Sequence, residues 1–249
     1  SGVELAVDDD GKPLTEAPKA DSTRFANFKT IELRKAVFRY TPPDGDPKGS
    51  FSIGPIDLTV TRGEVLFITG GNGSGKSTLL RVLTGLYPLH EGTILVDGKA
   101  LPQNALQDYR ETFSAVFGAF HLFSELYGLP DEALDEVSDW IATLEILNKV
   151  KFDGHRFSTI DLSTGQRKRL ALLAALLEKR PILVLDEWAA DQDPMFRRKF
   201  YREILGMLRS RGATIIAVTH DNRFFDAADR QMHMEDGMMA TFDPEFFHD

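Results

Sequence analysis

The chain has 249 residues, 42% hydrophobic and 27% charged, a composition that excludes global disorder and a length sufficient to bury a core. Its formal net charge of −9 argues against a surface built to hold nucleic-acid phosphates. It has no cysteine, hence no disulfide, and no stretch approaches the roughly 20 apolar residues that a membrane-crossing helix requires.

Residues 1–29 are polar, with the run DDDG and two prolines, and read as a linker or disordered arm. Their acidic start lacks the apolar centre of a signal peptide. From Thr30 the pattern becomes strand-like: TIELRKAVFRY alternates, and FSIGPIDLTV follows the turn-rich TPPDGDPKG. VLFIT, residues 65–69, is a continuous apolar run, as expected of a buried parallel strand. A helix is expected from Lys76 to about Leu86, then a strand in GTILVDG, residues 92–98, closed by an Asp-Gly turn.

Between about 103 and 165 the character changes. Leu134, Val137, Ile141, Leu144 and Leu147 recur at helical spacing, so the region reads as a helical subdomain inserted into an α/β core. Alternation then resumes: helix 166–179, strand 182–186, helix 194–210, strand 213–220. This order predicts an α/β fold with a mainly parallel sheet and helices on both faces, one domain over 30–249.

Gly70-Gly71-Asn72-Gly73-Ser74-Gly75-Lys76-Ser77 matches the phosphate-loop pattern, and it lies between an apolar strand and a helical run. The glycines let backbone N–H groups wrap phosphates, and Thr78 continues the loop into the helix. Lys76 brings positive charge to the β- and γ-phosphates of ATP, and the Ser77 hydroxyl is a ligand for Mg²⁺. ILVLDE places Asp186 at the end of a buried strand, where a carboxylate is costly unless it meets a cation; Mg²⁺ is the expected one. Glu187 is placed to polarise an attacking water, and His220, ending ATIIAVTH, to face the γ-phosphate. A second anion cradle stands at a helix start in LSTGQRKRL: Ser163, Thr164, Gly165 and Gln166.

A phosphate loop, then LSTGQ, then a strand ending Asp-Glu, then a histidine resembles the order in ATP-binding cassette (ABC) ATPases, over roughly residues 30–240. The resemblance implies a P-loop NTPase core of ABC type with an N-terminal antiparallel β subdomain. It also implies a head-to-tail dimer in which Ser163 to Gln166 cap the nucleotide of a second copy. By the same resemblance, Tyr40 stacks on adenine and Asp191 lies in a loop that communicates across the dimer. The sequence departs from the family where a glutamine is usual: Gly118 falls there, and neither Gly118 nor Ala119 has a ligating side chain, while His121 reads as a loop histidine rather than a substitute.

FSAVF, FHLF and DEWAADQDP are further similar to exporters of cyclic peptides and peptide siderophores. That subgroup implies a membrane domain on the same polypeptide and a place on the cytoplasmic face of a bacterial inner membrane. Two other readings are a non-transport ABC ATPase and an ATP-binding regulatory module. The first usually needs coiled-coil insertions or a second cassette; the second is kept open by Gly118.

Overall fold

The computed structural model describes residues 20–41, 50–118, 135–154 and 156–240. Two sheets form the frame. Strands β1 (Thr30–Tyr40), β2 (Phe51–Thr61), β4 (Glu91–Val96) and β5 (Lys99–Ala100) make an antiparallel sheet in the order β2-β1-β4-β5. The second sheet takes β3 (Val65–Thr69), β6 (Phe113–Val116), β7 (Ile182–Asp186), β8 (Thr214–Val218), β9 (Arg230–Glu235) and β10 (Met238–Ala240), in the order β10-β9-β3-β8-β7-β6. All its pairings are parallel except that of the edge strand β10.

The apolar runs of β3, β7 and β8 are buried on both faces, which is why they do not alternate in polarity. Leu66, Ile68, Val184 and Ile216 face a core shared with β1, β2 and helix α1 (Lys76–Leu83). Phe67, Leu183, Leu185 and Ile215 face the other, shared with helix α4 (Thr164–Leu177) and the segment from Pro194 to Ser210.

Several expectations are corrected. Residues 20–29 belong to the fold, not to an arm: Phe28 is 2% exposed, Asp21 N–H and the Arg24 guanidinium both donate to Asp108, and the Phe25 ring meets Tyr109 edge-on. Residues 1–19 lie outside the described residues. The stretch from 103 is not simply an inserted helical unit, because FSAV is a strand of the main sheet, running from Phe113↔Ile182 to Val116↔Leu185. Ahead of it lies a short helix, α2 (Leu106–Arg110).

Helix α1 stops at Leu83, where Thr84 Oγ1 donates to Leu80 O and Gly85 turns left-handed. Helix α3 (Val137–Thr143) buries Val137 and Ile141, but Glu145 at φ 55° reverses the chain. Ile146 therefore turns inward and Leu147 is 61% exposed, against its expected place on the core face; Leu134 lies outside the described residues. The helix expected over 194–210 is α5 (Pro194–Lys199), a π turn (Phe200–Ile204) and α6 (Leu205–Ser210). The wider turn lets the adjacent Phe200 and Tyr201 both enter the core.

Candidate active site

β3, β8 and β7 are neighbours, so their carboxyl ends bring together the three segments read as phosphate loop, His220 and Asp186-Glu187. Gly70 has φ 137°, and a Cβ there would stand 2.1 Å from the carbonyl oxygen of Met234. Gly75 has φ 102°, and its Cβ would lie 2.7 Å from Ile53 Cγ2. Glycine is thus dictated by backbone conformation and by close packing behind the loop. Gly71, Asn72 and Gly73 form its exposed tip, and the Ser74 hydroxyl, beneath, is buried with no hydrogen-bond partner among the described residues.

Lys76 is buried, and its Nζ donates to the carbonyl oxygens of Gly70 at 2.9 Å and Gly71 at 2.7 Å. Burial pushes its ammonium below the usual lysine range, while the Glu187 and Asp186 carboxylates act against that shift. Ser77 Oγ donates to Asp186 Oδ1 at 3.0 Å. A cavity of about 510 Å³ opens in front, lined by Phe51, Asn72, Lys76, Ser77, Thr78 and Glu187, with Gly73 and Gly75.

Glu187 has φ 50°, the left-handed region that non-glycine residues rarely occupy, and its N–H donates to Val218 O. His220 Nε2 lies 3.1 Å from Glu187 Oε1. Asp221, next in the chain, receives Arg223 at 2.8 Å and Arg197 at 3.5 Å. Burial alone would raise the Asp221 pKa, but the two guanidiniums hold it below its ordinary value.

Ser163 to Gln166 start α4 with a capping box: Gln166 N–H donates to Ser163 Oγ, and Ser163 N–H to Gln166 Oε1. None of the four lines the phosphate-loop cavity. Their neighbours are the turn beyond β7: Gln192 Nε2 donates to Gly165 O, and a Cβ on Gly165 would come within 2.6 Å of Asp191 O. Tyr40 is 49% exposed and does not line the cavity either. Phe51, its register partner on β2, does, and sequence reasoning missed it. Missed too were Lys168 and Arg169 of α4, which bind the turn 187–193 from beneath. The only signal for them was basic residues recurring in a helix that is otherwise apolar. Gly118 lies just beyond β6, where a Cβ would meet nothing within 4 Å among the described residues, and Ala119 and His121 lie outside them.

The residues fit ATP and Mg²⁺. A lysine ammonium seated in a glycine loop suits phosphates, and the Ser77–Asp186 pair offers the hard oxygen donors that Mg²⁺ prefers. Comparison with known proteins agrees, since the profile described as ABC transporter matches residues 53–190. The chain belongs to the ABC transporter family. This cassette is 46% identical over 238 residues to the ATP-binding protein SyrD of Pseudomonas syringae pv. syringae, covering 92% of the chain and 42% of SyrD. It therefore spans less than half the length of that relative.

Two solved structures share the fold at 22% identity. One is a bacterial Atm1-family ABC exporter with ATP bound, with a TM-score of 0.72 over 97% of this chain and 41% of that one. The other is a dimeric ATP-binding cassette in a post-hydrolysis state with ADP and Pi, with a TM-score of 0.65 over 85% and 97%. As a member of the family, the cassette is an ATPase that uses ATP with Mg²⁺. Among the described residues no helix is long and apolar enough to cross a membrane.

Proposed function

We propose that this cassette is the ATP-hydrolysing motor of an exporter for a peptide or siderophore-like compound, working as a head-to-tail dimer under a membrane domain on the same polypeptide. The observation that carries the hydrolytic reading is Glu187, which lines the phosphate-loop cavity and has His220 3.1 Å from its carboxylate. In this reading Glu187 takes a proton from water as the oxygen attacks the γ-phosphorus and ADP departs. His220 holds the Glu187 carboxylate toward the phosphate, and Lys76 neutralises the charge that develops there. Ser77 and Asp186 would hold Mg²⁺, which when bound would offset negative charge on the phosphate oxygens.

Ser163, Thr164, Gly165 and Gln166 serve the partner's nucleotide. They cap a helix start and stand apart from their own chain's cavity, which favours that reading. Membership of the ABC transporter family favours transport over a non-transport role, and an Atm1-family exporter is among the proteins that share the fold. Mixing Ser163→Arg chains with Lys76→Ala chains tests the dimer: one intact composite site forms only if the signature acts in trans, so activity returns on mixing. Glu187→Gln should leave a slow residual turnover, about a hundredfold or more below the parent, while ATP still binds. Parent-rate hydrolysis by that variant would sink the base assignment.

A further inference from the structure

Lys168 is a buried cation on the inner side of α4, with its side chain 5% exposed. Its Nζ donates to the backbone carbonyl of Glu187 at 2.9 Å and pairs with Asp191 Oδ2 at 2.6 Å. The contact is returned, because the buried Trp188 indole Nε1 donates to the backbone carbonyl of Lys168 at 2.7 Å. Two consecutive residues of the turn after β7 are thus tied to one residue of α4, once through its side chain and once through its main chain.

The residue gripped in this way is one that resists its own conformation. Glu187 sits at φ 50°, which a side-chain-bearing residue keeps only when its surroundings impose it. A backbone rotation there would swing the carboxylate away from both His220 and the cavity. A buried ammonium is costly unless paired, and here its two partners are that carbonyl and the carboxylate of the same turn.

We propose that Lys168 is a positioning residue for ATP hydrolysis, fixing the Glu187 backbone so that its carboxylate points into the phosphate-loop cavity. This rests on the reading of Glu187 as the base. The clamp also joins that carboxylate to the helix that begins at Ser163, so the surface turned toward a partner and the group acting on the chain's own nucleotide share one rigid support.

The test is steady-state ATPase kinetics of Lys168→Met, which keeps length but cannot donate, beside Lys168→Arg, which can. Lys168→Met should lower kcat about tenfold to a hundredfold with KM within about twofold of the parent, and Lys168→Arg should recover much of the loss. In a Glu187→Gln background, Lys168→Met should cost nothing more, because it acts through a carboxylate already removed. Asp191→Asn, which leaves the lysine in place without its counter-charge, should show a smaller fall in kcat and serves if Lys168→Met folds poorly. Parental kcat in both Lys168→Met and Asp191→Asn, or an equal further loss in the Glu187→Gln background, would overturn the proposal while leaving Glu187 as base. Full activity of Glu187→Gln would instead remove the base reading itself, and this inference with it.

Discussion

Ser77 and Asp186 stand 109 positions apart in the chain, yet the serine hydroxyl donates to the carboxylate across 3.0 Å. One belongs to the first turn of the helix after the phosphate loop and the other ends a strand separated from β3 by β8. Two oxygen groups of this kind would supply part of a magnesium site, with nucleotide and water supplying the rest.

Ser77→Ala should weaken that site selectively. A hydrogen bond to a charged group is worth about 1.5–3 kcal/mol, so the Mg²⁺ concentration needed for half-maximal turnover should rise roughly tenfold to a hundredfold. A Mg²⁺ titration of ATPase activity measures it, and EDTA should abolish turnover in both chains. An unchanged titration curve would mean that Ser77 does not hold the metal.

Phe51 and Tyr40 face each other in register, but the cavity is lined by Phe51. Base-on-aromatic stacking contributes about 1–3 kcal/mol. Phe51→Ala should therefore weaken ATP binding about fivefold or more, and Tyr40→Ala by far less. Equilibrium binding of a fluorescent ATP analogue compares the two, and the reverse ranking would make Tyr40 the stacking residue.

Gly165 has no room for a methyl group, whose Cβ would meet the Asp191 carbonyl at 2.6 Å. Overpacking against backbone costs about 1–3 kcal/mol, so Gly165→Ala should lower the unfolding free energy by that amount, read as a lower urea midpoint. Nucleotide affinity of the isolated chain should be unchanged, since Gly165 does not line its own cavity. A loss of affinity without loss of stability would contradict the trans assignment.

Asp221 supplies a pH-dependent stabilisation. Burial would raise its pKa, yet Arg223 and Arg197 hold it below the ordinary value of 3.8. A carboxylate depressed in the folded state stabilises fully above its unfolded value and loses that contribution as pH falls through its folded one. Asp221→Asn should be less stable than the parent at pH 7, and the difference should shrink below about pH 3.8. Thermal melts from pH 2.5 to 7 test this, and a difference constant across the range would mean that Asp221 titrates alike in both states.

The phosphate loop, the apolar strand ending in Asp186 and the signature LSTGQ were legible in the sequence because each is a local device. A glycine-lysine turn between strand and helix, or a capping box ahead of an apolar run, is specified within a few consecutive residues. The alternation of strands and helices likewise announced a mainly parallel sheet. Local signals misled where a neighbour decided the outcome. FSAV is too short to be told from a helix segment by its own pattern, and it is a strand because β7 offers it a free edge. Leu147 matched the helical period but lies outside it, since the chain turns left-handed at Glu145.

The sequence by itself determined which groups are suited to the chemistry: a glycine-lysine loop suited to phosphate, a serine and an aspartate suited to Mg²⁺, and a glutamate suited to accept a proton. Only the tertiary structure decided how those groups are held. That Phe51 lines the cavity depends on its packing beside Gly75 of the phosphate loop. That Lys168 grips Glu187 depends on the packing of α4 against the turn beyond β7. Such contacts join residues far apart in the chain, and no periodicity or motif encodes a distance that packing alone sets.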